Sequence, residues 1–517
     1  MAYLPAELID HIISYLVAEG HHQDADYSQS MFHILHWDIY NNRLALAPYA
    51  AVSRAWQQRV EATTFAHIML TPARLAAPLA AQALTPERVR RFVRSIRIDL
   101  VLPPYGEDAW ARREDEAERA RNDAVFTDVV RKVFGLLAPA ASGIDTGYRP
   151  RMHLILSARC ISDTDDLEAR NYRWRVCEHT PADIREARYD SSYLDLRPPA
   201  GSSVQDEAEA LPELHCVQAF KVLAGRSQMN HKTSRCFTPR SICLMASRMP
   251  RLEEVDWTLC DNEKRDVALR KSLRTDFAYA LQLLPSSLRI FELYYDRYPP
   301  LDHSFQTPSI LDEEDGDNND KLSLAFHKLS RHLVRFTLIA NVGPEAVWPL
   351  ERAQDDEPLW PRMRDYCVFP GAIAPSGEWR VLRSDPDPDY ESDDAGTIVL
   401  DHTAPPGDEW ENPFRSKLDR NAANAFLLAT ARAARRMPVL WNLHFNLQAP
   451  QGCEAELEVE YRAKAYHPGG ENAELEIYAT PRVFHLDEEV LQIWREVAEE
   501  YGGAGSELVV KETEPPA

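Results

Sequence analysis

A chain of 517 residues with 44% hydrophobic and 27% charged side chains is long enough to bury a large core, and its composition is that of a globular protein. Its 81 acidic against 58 basic side chains leave a formal net charge of −23, which excludes the basic surface that nonspecific nucleic-acid binding requires and opposes docking on an anionic membrane. The eight cysteines are scattered without a CxxC pair, which excludes a zinc ribbon or a RING domain. With no signal-like leader and no apolar run of about 18 residues, the expected location is cytoplasmic or nuclear, with reduced thiols.

The first elements are two short helical segments. In LPAELIDHIISYL (4–16), Pro5 suits a first helical turn, where its missing N–H costs nothing, and Glu7 complements the positive end of the helix dipole. Leu8, Ile12 and Leu16 recur every four residues with Ile9 and Ile13 beside them, which predicts one broad apolar face. In LAPYAAVSRAWQQRVEATTF (46–65), Val52, Trp56 and Val60 have the same spacing and Ser53 is a natural N-cap. Helices this short are marginal alone and need a partner for their apolar sides.

Together the two segments resemble an F-box, through Leu4, Pro5, Glu7, Leu8, Ile12, Leu16, Val52, Ser53, Arg54 and Trp56. The stretch from Leu46, with RRFVRSIRIDLVLP after it, is also similar to the opening of large F-box proteins of filamentous fungi. The resemblance implies a helical module over residues 1–65 that docks the Skp adaptor of a cullin-scaffolded SCF ubiquitin ligase. Leu4, Pro5, Leu8, Ile12, Leu16, Val52 and Trp56 would be the adaptor-binding residues. One departure is an insert at about 17–43, longer than the family's usual loop. It carries His21, His22, His33 and His36, which read as part of a polar loop rather than as a metal site.

Further along, one phrase recurs: an apolar residue, two others, then apolar residues in alternation. It places Val93, Ile96 and Ile98; Leu214, Val217 and Ala219; Leu252, Val255, Trp257 and Leu259; Leu288, Phe291 and Leu293; Leu333, Phe336 and Leu338; Met363, Tyr366 and Val368; and Leu440, Leu443, Phe445 and Leu447. This is the L-x-x-L-x-L core of a leucine-rich repeat, with the period-2 ending of a strand that has one buried face. Helical stretches separate the phrases, among them ARNDAVFTDVVRKVFGLLAPA, EKRDVALRKSLRTDFAYALQLL and NAANAFLLATARAARRMP. Strand, helix, strand in one direction predicts parallel pairing. The expected fold is therefore α/β: a helical F-box, then an irregular leucine-rich-repeat-like array over 88–450 with long acidic inserts (311–320 and 385–394), the spacing being longer than a regular repeat. Glu254, Asp256, Glu292, Thr337 and His444 should face outward on the array's sheet, and Asp261, beside the Trp257 strand, reads equally as lining the array's concave edge or as a solvated surface residue. Residues 451–500 predict a hairpin and an amphipathic capping helix, and 501–517 a disordered tail.

Motifs for catalysis are missing: there is no phosphate-binding glycine loop, no H-E-x-x-H and no nucleophile elbow. The expectation is a non-catalytic protein without cofactor or metal, a substrate-recognition adaptor of SCF type whose partners are the Skp adaptor, the cullin scaffold and an unknown protein substrate. The competing expectations are an interaction scaffold without a ligase role and an α/β enzyme with an unfamiliar site.

Overall fold

The computed structural model of the chain describes residues 5–19, 44–77, 82–106, 109, 112–141, 152–163, 188–197, 210–223, 235–295, 297–311, 320–349, 359–383, 404–409, 412–448, 456–463, 474–480, 487–501 and 509–513. The histidine-bearing insert, the greater part of both acidic inserts and Leu4 lie outside these residues.

Helix α1 (Ala6–Glu19) and helix α2 (Arg54–Thr64), the latter led in by a 3-10 segment (Leu44–Ala51), form a small unit of their own. The Ser53 side chain accepts from the Trp56 N–H and so caps the second helix as its residue type predicts. Ile9, Ile13, Leu46 and Val60 make a separate core, with Ala50 and Trp56 packed against it. An ion pair from Arg59 to Asp10 (2.8 Å) joins the helices at the surface, where solvent screening leaves it a minor contribution.

The rest of the chain alternates strands and helices. The elements are β1 (His67–Leu70), α3 (Pro72–Ala76), α4 (Pro86–Phe92), β2 (Ser95–Leu102), α5 (Glu116–Ala141), β3 (Met152–Cys160), β4 (Tyr193–Leu194), β5 (Val217–Leu223), β6 (Cys236–Phe237), α6 (Pro239–Ser247), β7 (Glu254–Thr258), α7 (Val267–Ala280), β8 (Ile290–Tyr295), α8 (Lys321–Ser330), β9 (Arg335–Ala340), β10 (Asp365–Pro370), β11 (Val381–Arg383), β12 (Arg415–Leu418), α9 (Arg420–Ala434), β13 (Asn442–Gln448), β14 (Glu456–Arg462), β15 (Glu474–Thr480), α10 (Glu488–Tyr501) and β16 (Val509–Thr513). Twelve strands make one sheet in the order β1-β2-β3-β5-β7-β8-β9-β10-β13-β14-β15-β16. Neighbours run parallel from β1 to β13, antiparallel through β14 and β15, and parallel again at β16. The protein is thus mixed α/β with a large, mostly parallel sheet.

Register explains why the apolar phrase recurs. Ile96, Leu154, Phe220, Val255, Phe291, Phe336, Tyr366, Leu443, Tyr461 and Leu475 pair in succession across the sheet, and all are buried. A second buried row, two residues on, runs through Ile98, Leu156, Val222, Trp257, Leu293, Leu338, Val368, Phe445 and Val459. The helices cover these rows: Phe326 of α8 meets Phe291, Phe277 of α7 meets Tyr295, Phe426 of α9 meets Phe445, and Trp494 of α10 meets Tyr461. Ahead of the strands, the N–H groups of Leu252, Leu288, Leu333, Met363 and Leu440 each close a tight turn onto the carbonyl three residues before, and all five side chains are buried. One local turn, repeated, aims one apolar side chain under the sheet each time.

Three expectations are corrected. In the phrase at 214–219 the second inward residue is Phe220 rather than Ala219, because the pairing shifts between Met152 and His153 and Gln218 is left over; a one-residue slip reverses facing. Asp261 is buried, not solvated. Val509–Thr513, expected to be disordered, forms β16 at the sheet's edge. Strands β1 and β3, which the repeat phrase did not mark, belong to the same sheet.

Candidate functional site

Two surfaces and one cavity stand out. The first surface is on the N-terminal helix pair. The broad apolar face predicted for α1 divides into two stripes, as a rotation of about 100° per residue along an α-helix requires. Ile9 and Ile13 turn inward and are 2% and 4% exposed, whereas Leu8 and Ile12 turn outward at 49% and 38%. Val52 is 62% exposed just before α2, and Tyr49, itself outward, stacks on the half-buried Trp56 ring at 6.0 Å between centroids. Pro5 is exposed at the start of the same helix. The Leu16 side chain lies outside the described residues. Leu8, Ile12, Tyr49 and Val52 thus remain exposed after the helix pair has closed its own core.

The second surface is the sheet face away from the helices. Arg97, Ile155, Lys221, Asp256, Glu292, Thr337, Cys367, His444, Glu460 and Glu476 pair in succession along it, one residue out of phase with the buried rows. Asp256, Glu292, Thr337 and His444 face outward as their alternation predicts, and Glu254 is exposed on the adjoining row. Charges here pair across strands, Lys221 with Asp256, Arg335 between Glu292 (3.8 Å) and Asp365 (3.6 Å), and Arg462 with Glu476 (3.1 Å), while Arg462 also pairs along its own strand with Glu460 and the His444 ring meets Glu458 at 2.6 Å. Partial burial, and then the like charges of Asp256 and Glu254, push the Glu292 carboxyl above the usual carboxylate range.

The cavity, about 540 Å³, opens at the C-terminal ends of β9 and β10, between the loops after those strands and the start of α9. Glu345, Glu378, Trp379, Arg380, Asp419 and Phe426 line it. No sequence motif signalled it, because its walls come from segments far apart in the chain and none is a recognisable phrase.

Buried thiols do not supply a nucleophile: burial drives Cys216 up to about 12 and Cys243 well above its ordinary value. Among the described residues no group of His, Cys, Asp and Glu is placed to hold a metal ion, no cysteines are bridged, and no helix is long and apolar enough to cross a membrane.

Against known proteins, the profile of a family of unknown function, DUF6546, matches residues 412–517, the segment that holds β12, α9, the last four strands of the sheet and α10. No curated protein matches the chain.

Proposed function

We propose that this protein is a substrate-recognition adaptor of the F-box type, docking the Skp adaptor of an SCF ubiquitin ligase through its N-terminal helices and presenting a protein substrate on the array. The observation that carries the reading is the division of labour on α1: Ile9 and Ile13 close the helix pair, while Leu8 and Ile12, with Val52, stay exposed. These are residues that the F-box resemblance assigns to the adaptor. The array is read as leucine-rich-repeat-like, supported by strands that neighbour one another in chain order and by the turn repeated at Leu252, Leu288, Leu333 and Leu440. The outward row from Asp256 to His444 is then the substrate face. The mechanism is proximity: one end is held on the ligase scaffold and the other holds the substrate, so that effective concentration and orientation replace bond chemistry in this chain.

The test is co-precipitation with the Skp adaptor. Leu8→Asp places an unpaired charge in the exposed stripe, and Trp56→Ala removes the half-buried ring on which Tyr49 stacks. Adaptor recovery should fall to background while the far-ultraviolet circular dichroism spectrum is unchanged; undiminished recovery would sink the assignment.

A further inference from the structure

At the starts of the strands, the opposite edge of the sheet from the cavity, the fold lines up positive charge. The residues just before β8, β9, β10 and β13 are joined rung by rung: the Val334 N–H donates to the Arg289 carbonyl, Arg364 to Val334 and Trp441 to Arg364, each at 2.8 Å. The turn that aims one apolar side chain under the sheet therefore also sets Arg289, Arg364 and Trp441 along one edge. His332 and Arg362 come one residue ahead of the buried Leu333 and Met363 of the same turns. The Arg364 guanidinium lies over the Trp441 ring at 4.4 Å. Burial first, and then the charges of Arg289 and Arg362, hold the His332 pKa below its ordinary value, so both guanidinium groups lie near that ring.

These charges are not answered within the fold. Among the described residues no carboxylate forms an ion pair with Arg289, Arg362 or Arg364: Glu292 and Asp365 go to Arg335, and Glu253, the rung beyond Arg289, accepts from the Gln218 amide at 3.0 Å. Helix capping does not explain them either. Arg248, Arg331 and Arg435 cap the C-termini of α6, α8 and α9, where positive charge complements the helix dipole, but Arg289, Arg362 and Arg364 cap no helix. Arg362 and Arg364 are exposed, and the β13 end of the row turns apolar, with Val439 40% and Trp441 39% exposed. The starts of β8 to β13 span roughly 14 Å at about 4.8 Å per strand, which is the reach of about four or five residues of extended chain. That length suits a short peptide segment. It does not suit a nucleic-acid strand, whose phosphates would continue past the row onto a chain of net charge −23.

We propose that this edge binds an acidic peptide segment of a protein partner, laid across the strand starts with its carboxylates on Arg289, Arg362 and Arg364 and an apolar side chain against Val439 and Trp441. A guanidinium pairs with a carboxylate through two parallel N–H donors, and an indole beside it adds apolar area at one end of the row, so charge and direction are both specified. The edge is separate from the N-terminal helices and from the outward row of the sheet, and the inference and the Skp-docking reading each stand if the other fails.

Calorimetric titration of the full chain with end-capped hexapeptides tests it. The probes are DEDELF and its reverse FLEDED, which offer the acidic and apolar ends in both chain directions. For each there is a neutral counterpart with Asn and Gln in place of Asp and Glu, and a counterpart with glycines in place of Leu and Phe; an oligothymidylate of equal charge stands for nucleic acid. Saturable binding of at least one acidic peptide is expected, weaker by about tenfold or more in its neutral counterpart, severalfold weaker in its glycine counterpart, and falling as salt is raised. Arg362→Glu with Arg364→Glu, both at exposed positions, should abolish that binding in a chain whose thermal transition is unchanged. Absence of saturable binding by both acidic peptides overturns the proposal. So do equal binding of either counterpart, tighter binding of the oligothymidylate, and full binding retained in the double variant. Arg362→Gln with Arg364→Gln, which removes the charges without reversing them, decides the matter should the charge reversal not fold.

Discussion

At the scale of single residues, charge and burial are matched locally. Asp261 takes three hydrogen bonds from two arginines of α7, Arg270 (2.9 and 2.7 Å) and Arg274 (2.8 Å). Arg274 passes on to Asp320, the cap of α8, and to the Asn341 carbonyl after β9. Burial alone would raise the Asp261 carboxyl, but the arginines hold it below its usual value. From the sequence, Asp261 reads equally as a residue of the concave edge or of the solvated surface, and neither reading anticipates its burial. Its partners lie nine and thirteen residues on, at a spacing that looks like ordinary helix surface. His303 shows the opposite balance. It is 2% exposed, and its Nδ1 accepts from the backbone N–H groups of Phe414 and Arg415, both at 2.9 Å, which requires the neutral ring. Burial, then the Arg415 charge, pushes its pKa down from 6.5 to about 4. Between those values the unfolded chain holds a proton that the folded one lacks, so stability is complete above pH 6.5 and declines as pH falls toward 4. Urea midpoints measured across that window should drop with acidity. His303→Asn, whose side-chain oxygen takes the place of Nδ1 but does not titrate, should flatten the slope by about one proton's worth.

At the scale of elements, the recurrent phrase separates structure from surface. Leu288 is fully buried in the turn before β8, and Glu292, four residues on, faces outward with an ion pair to Arg335 at 3.8 Å in a half-exposed setting. Leu288→Ala should lower stability by about 2–5 kcal/mol, because the surrounding core relaxes only partly around the lost volume. Glu292→Ala should change it by less than about 0.5 kcal/mol, because screened surface pairs contribute little. Equilibrium urea unfolding of the two variants checks both figures, and equal effects would mean that inside and outside have been exchanged. These positions were legible because the alternation in β7, β8, β9, β10 and β13 is uninterrupted. The phrase before β5 was misread by one residue because a bulge leaves no mark in composition. Strand β3 was missed for another reason. MHLILSARC carries no leucine phrase before it, and only its pairing with β2 and β5 shows where it belongs.

At the scale of the molecule, two cores do not merge. One runs from Leu70 to Ala498 beneath the sheet from β1 to β15, and the other is confined to Ile9, Ile13, Leu46 and Val60. The joins between them are surface contacts, such as Arg88 to Glu61 at 3.3 Å and Arg88 over the Phe65 ring. Deleting residues 1–65 should therefore leave the main calorimetric transition within a few degrees of its original temperature, since no buried residue of the large core is lost. A collapse of that transition would show that the helix pair is part of the main core. What the sequence alone determined is periodic and local: the two N-terminal helices and the Ser53 cap of the second, the alternating strands, the parallel order implied by the intervening helices, and which leucines turn inward. Each follows from side-chain spacing along a single helix or strand. Only the tertiary structure decided which of two adjacent apolar stripes on α1 stays in water, that Asp261 is buried among arginines, that Val509–Thr513 finishes the sheet, and that a carboxylate-walled cavity forms beyond β9 and β10. Each of these depends on partners far away in the chain. A residue's own neighbours in sequence carry no record of what will be packed against it.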